Sequence, residues 1–202
     1  MQNEAQPINR PVLKLRGGRF QALTWDTMTA AQAAMAESVL EGKRASMQGP
    51  YNVLLRSPEL GNLAQQFGAH TRFHSSLPLA LNELAILLVA RFWTSQFVWS
   101  IHKGIALEAG LNADLIEAIA QRRAPENLQI LPLDVAAVYC FCHQLLQEKQ
   151  VSDANYTALV SAFGERGVVD VMGTMSYYTL VSMSLNVDQY PLPDGAANEL
   201  KP

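Results

Sequence analysis

The sequence predicts an all-α fold of about seven or eight helices, on three observations. Apolar residues recur at three- and four-residue spacing along almost the whole chain. Strand-like alternation is hard to find. The periodic stretches are bounded by residues that start and stop helices.

Taken in order, the polar opening MQNEAQPINRP carries no apolar run of the kind a signal peptide has, and residues 1–19 read as a polar arm. A single domain over 20–189 and a polar, Pro- and Gly-rich tail over 190–202 complete the expected organisation. Trp25 to Leu40 places Met28, Ala31, Met35 and Val39 at helical spacing and stops at Gly42. Ser57-Pro58-Glu59 is a helix start, with an N-cap, a proline at the first helical position and an acid in the first turn. The helix it opens carries Leu60, Leu63, Ala64 and Phe67 on one face. Pro78 punctuates before an apolar helix from Leu79 to about Thr94, and Gln96 to Ala109 follows, ending at Gly110. Asn112 caps a helix to about Gln121, and RRAPENLQILP reads as the longest internal loop. Asp134 to Lys149, Ser152 to Phe163 and Val168 to Leu185 supply the last three helices.

Composition bounds the function. The 202 residues carry a net charge of −3, with a pI near 5.8, so no basic field draws the chain to nucleic acid or anionic lipid. The longest apolar run, Leu84 to Ala90, is far short of the roughly 20 residues of a membrane span. Only 16% of residues are charged while 49% are hydrophobic, which predicts that other subunits hide part of the surface. Cys140 and Cys142 are too close along a helix to bridge easily, and a reducing cytoplasm is the expected location.

Two residues stand out as candidates for chemistry. His102 falls on the apolar stripe shared by Ser95, Val98, Trp99 and Ala106, so it points inward. Glu83 heads the most hydrophobic segment, where an unpaired carboxylate is expensive. In one straight helix the two would lie about 28 Å apart, so they can meet only if the chain turns near Trp93 to Gln96.

The run NELAILLVARFWTSQFVWSIHKGIALEAGL, with GPYNVLLRSPELGNLAQQFG before it and GERGVVDVMGTMSYYTLVSMSLN after it, resembles the carboxymuconolactone decarboxylase family, which includes the AhpD-like alkylhydroperoxidases. The resemblance spans most of residues 49–186 and implies the helical fold of that family, assembled as a homo-oligomer, a trimer or hexamer. In the peroxidase branch a Glu is followed by two Cys and a His, at spacings that land here on Glu83, Ser95, Val98 and His102. Both thiols are therefore replaced, and a dithiol peroxide reduction lacks its nucleophile and its resolving group. The decarboxylase-like branch reads S-Q-Y-E-W-x-x-H over the same stretch. This chain keeps Ser95, Gln96, Trp99 and His102 and has Val98 where that branch has Glu.

The implied function is a cofactor-free, lyase-type enzyme acting on a small ring acid or lactone. His102 is the expected acid/base, its ordinary titration range lying near neutrality, and Glu83 orients it. Ser95, Val98 and Trp99 are expected at the pocket, with Trp99 either wall or core, and Arg91 and Arg56 are the expected carboxylate-binding cations. Two alternatives stand beside it. One is an AhpD-like antioxidant protein using Cys140 or Cys142, the other a non-catalytic oligomer that binds a small molecule. His70 and His74, four residues apart, can chelate a metal but lack a nearby third ligand in sequence, so packing or a subunit contact is expected and no metal. Tyr177, Tyr178, Met172, Met175 and Met183 read as core or subunit interface.

Overall fold

The computed structural model describes residues 10–43, 45–125 and 131–201, which form eight α-helices and no strand. They are α1 (Ala30–Glu41), α2 (Tyr51–Leu54), α3 (Pro58–Phe73), α4 (Leu79–Phe92), α5 (Gln96–Glu108), α6 (Ala113–Ala120), α7 (Leu133–Glu148) and α8 (Asp153–Asp188). None is long and apolar enough to cross a membrane among the described residues. Residues 1–9 of the expected arm and 126–130 of the expected loop lie outside the described residues.

α4 is the axis of the fold. Every residue from Leu81 to Arg91 is buried, as befits a helix that is apolar on all sides, and α5, α6, α7 and α8 pack around it. Burying its Leu84, Ile86, Leu87 and Leu88 contributes about 2 kcal/mol per side chain. The two final helices expected from the sequence run as one element, α8, broken at Gly164 (φ 66°, ψ 177°). That backbone conformation is essentially open only to glycine.

Two sequence expectations are corrected. Trp25 to Leu40 is not one helix: Trp25–Thr27 is a short 3₁₀ turn, Met28 is extended, and α1 begins afresh because Thr29 and Gln32 form a reciprocal capping box. On α3 the face that packs inward is not the large apolar one. Gly61, Ala64, Gly68 and Thr71 are buried, while Leu60, Leu63 and Phe67 are 55%, 66% and 42% exposed. The cause is close approach. A methyl group on Gly68 would lie 2.1 Å from the Tyr177 ring of α8, and one on Gly61 would lie 2.7 Å from the Leu54 carbonyl, so only small residues let α3 seat.

Polar ties fix the helices laterally. Asn82 of α4 donates from Nδ2 to the Thr71 carbonyl of α3 at 3.1 Å and accepts from Thr174 Oγ1 of α8 at 2.8 Å, with all three residues buried. Such satisfied buried bonds specify one arrangement of the three helices. The chain ends are strapped down as well. Leu200 is 3% exposed in the main core, and the Leu200 and Lys201 carbonyls accept from Gln96 and Arg91 at 2.6 Å each. Asp188, fully buried at the end of α8, accepts at Oδ1 from the backbone N–H groups of Gly18, Arg19 and Phe20 at 3.2, 2.9 and 2.8 Å.

Removing that carboxylate strands the Gly18 and Phe20 amides, while Arg19 N keeps its bond to the Asp188 backbone carbonyl at 2.8 Å; each lost charge-assisted bond contributes about 1.5–3 kcal/mol. Asp188→Ala is expected to lower the unfolding free energy by about 3 kcal/mol or more in urea denaturation. A loss below about 1 kcal/mol would show that the arm is not held this way.

Candidate functional site

Glu83 and His102 meet because the chain reverses between α4 and α5. α4 ends in a Schellman motif, with Ser95 N donating to the Ala90 carbonyl at 2.8 Å and Thr94 N to the Arg91 carbonyl at 3.1 Å. Thr94 takes the left-handed position (φ 48°) usually given to glycine. The two helices then run side by side, and His102 Nδ1 lies 2.6 Å from Glu83 Oε2.

Both groups are inside, Glu83 at 0% and His102 at 6% exposure. Glu83 Oε1 has no hydrogen-bond partner among the described residues, which leaves the imidazole as the group that offsets the desolvation of the carboxylate. An ionised carboxylate can only accept, so the bond puts a proton on Nδ1 and leaves Nε2 to gain or lose one. The Tyr178 ring meets the imidazole edge to face, with centroids 4.8 Å apart at 83°, and fixes its plane.

Beside the pair lies a cavity of about 150 Å³. His102, Val98, Val181, Tyr177 and Tyr178 line it from α5 and α8, and Gly49, Pro50 and Tyr51 close it from the segment before α3. Its cation is Arg72 of α3, a residue the sequence reading missed. The one signal for it is Gly68, a turn earlier on the same helix, whose missing side chain lets Tyr177 approach.

Of the residues expected at the pocket, Glu83, His102 and Val98 come together and the others are placed elsewhere. Ser95 is fully buried at the start of α5, without a hydrogen bond from its hydroxyl among the described residues, and borders a different surface hollow. Trp99 is 1% exposed in the core, and its Nε1 donates to Glu199 Oε2 at 3.4 Å. Arg56 is drawn to backbone carbonyls, donating to Gln21 at 2.5 Å and Asn52 at 3.2 Å. Arg91, near the end of α4, lines a separate cavity with Arg122 and Arg123. Spacing from Glu83 could not reveal which side of α4 its side chain serves.

The remaining clusters fall into place around this site. Cys140 is half-buried and Cys142 fully buried, both free, and burial pushes each thiol above its ordinary value. A neutral thiol is a poor nucleophile. The His70 and His74 rings are exposed with centroids 5.9 Å apart. Among the described residues no group of three His, Cys, Asp or Glu side chains could hold a metal.

A buried carboxylate–imidazole hydrogen bond is revealed by what its breakage costs. His102→Ala leaves Glu83 without its imidazole and is expected to destabilise by about 3–5 kcal/mol. Adding Glu83→Gln should recover at least about 1 kcal/mol of that loss. Urea denaturation of the two single variants and the double variant measures the coupling, and strictly additive losses would count against the pair. In comparison with known proteins, the sequence matches no family model and no curated protein.

Proposed function

We propose that the chain is a cofactor-free acid/base catalyst of the carboxymuconolactone decarboxylase-like kind, a lyase acting on a small ring acid or lactone in the cavity beside His102. The observation that carries this reading is the buried 2.6 Å contact between His102 Nδ1 and Glu83 Oε2 at the wall of that cavity. A carboxylate that fixes the tautomer of an imidazole is the usual device for holding a general acid/base in one orientation.

The reaction needs little else. When a carboxylate leaves as carbon dioxide from a carbon whose negative charge conjugation can spread to a ring carbonyl, the bonding pair passes into an enolate, and a proton must then be returned to carbon. In this reading His102 Nε2, at the other end of the ring from Glu83, delivers that proton. Arg72 is the cation for the enolate oxygen or for a second carboxylate on the substrate. Thiol chemistry is disfavoured by the burial of both cysteines, and two free thiols suit the reducing cytoplasm. Val98 makes the wall beside His102 dry, which favours a ligand less charged than the family's namesake lactone.

The same reading includes a homo-oligomer, a trimer or hexamer. Its support is the outward apolar face of α3, Leu60, Leu63 and Phe67, beside Val169 and Met172 of α8, which are 60% and 40% exposed. Light scattering at micromolar concentration is expected to give a multiple of 22.2 kDa, and a monomer would reject assembly.

Turnover tests the chemistry. A panel of ring acids and lactones, followed by carbon dioxide release, is expected to include a substrate whose kcat falls at least about 100-fold in His102→Gln. Arg72→Gln should raise KM, and Val98→Glu should confer turnover of carboxymuconolactone, on which the unaltered protein is expected to be inactive. Full activity in His102→Gln would overturn the assignment of that residue.

A further inference from the structure

The three arginines at the ends of α4 and α6 face a second cavity, of about 280 Å³, bounded by α4, α6 and α7. Arg91 is 6% exposed there, and its Nε has no hydrogen-bond partner among the described residues. Its Nη1 donates to Thr94 Oγ1 at 3.1 Å, and Arg122 Nη2 donates to the same oxygen at 3.4 Å. Two guanidinium groups thus converge on one hydroxyl. Among the described residues no carboxylate forms an ion pair with either. Arg122 is exposed, while Arg91 is buried with its Nη2 donating to the Lys201 carbonyl at 2.6 Å, and a buried guanidinium almost never stands without a counter-charge.

The rest of the cavity is apolar below and polar above. Leu88, Ile119 and Leu146 supply an apolar floor, while Tyr139 and His143 stack on each other at 5.5 Å along the wall. A purely inorganic anion would use only the guanidinium end. We propose that this cavity binds a small organic anion, with its carboxylate or phosphate between Arg91 and Arg122 and its apolar body on Leu88, Ile119 and Leu146. Its size is at the lower end of the roughly 300–1,000 Å³ of ligand sites, which limits the body to about one ring. Burial and the neighbouring Arg122 charge push Arg91 down from its ordinary value, the strain an anion between them would relieve. The site is distinct from the His102 cavity, with which it shares no lining residue.

Residue-resolved NMR on the full chain tests it, because a small ring acid could also enter the His102 cavity. Benzoate, phenyl phosphate and inorganic phosphate are titrated at constant ionic strength. Benzoate or phenyl phosphate is expected to shift the amide signals of Arg122, Arg123, His143 and Gln147 saturably, at least tenfold more tightly than inorganic phosphate. The stronger of the two organic probes identifies the head group. Arg122→Gln should weaken binding at these signals about tenfold while signals around Gly49 and Ile101 respond as before. Glutamine tolerates the left-handed backbone of position 122, since Gln189 already adopts φ 55°. Arg122→Glu supplies the missing carboxylate internally, and is expected to abolish binding without lowering the melting temperature. Shifts confined to the His102 cavity, unsaturable shifts, or equal affinity in Arg122→Gln would each overturn the proposal.

Discussion

A carboxylate held inside the most apolar helix of the chain sets the terms for the architecture around it. Glu83 is flanked on α4 by Leu84, Ala85 and Ile86, all at 0% exposure, and water cannot solvate it. It must be compensated from within the protein. Nothing on its own helix can do so, so the partner has to arrive from the next one, and that requires a tight reversal after Phe92. The reversal needs a left-handed residue, and here a β-branched threonine occupies it, at a cost of about 1–2 kcal/mol. The Schellman bonds of Ala90 and Arg91 hold that conformation. The threonine hydroxyl is then presented to Arg91 and Arg122. The turn that brings His102 to Glu83 is therefore also the turn that gathers the arginines of the second cavity.

Much of this was legible in the sequence, because it depends on local rules. Pro78, Gly110, Asn112 and Ser152 mark helix ends through backbone chemistry that acts within a few residues. The Glu83 and His102 pair was legible from a burial argument together with the resemblance in the surrounding run. Orientation was harder to read. On α3 the hydrophobic pattern points to Leu60, Leu63 and Phe67 as the buried face, yet steric fit against Tyr177 and the Leu54 carbonyl selects the glycine side. The same rule hid Arg72, whose place at the cavity follows from how closely α3 approaches α8. The composition of the tail marks it as polar, yet Leu200 is buried in the core, and one such apolar residue makes no pattern.

Electrostatics divides the interior between two sides of α4. On the Glu83 side the carboxylate is held by His102 inside the protein, and among the described residues Arg72 is the charged side chain that lines the cavity. In the proposed reading that cation meets the acid group of the ligand. Val98 adds nothing to it, since an isopropyl group beside the imidazole offers neither proton nor countercharge. A glutamate in its place would set a second ionisable group beside the imidazole. With valine there, His102 is the proton carrier of the proposed reaction. Under the proposed function, that proton goes to a carbon made acidic by a neighbouring carbonyl, with Arg72 as the cation that stabilises the enolate.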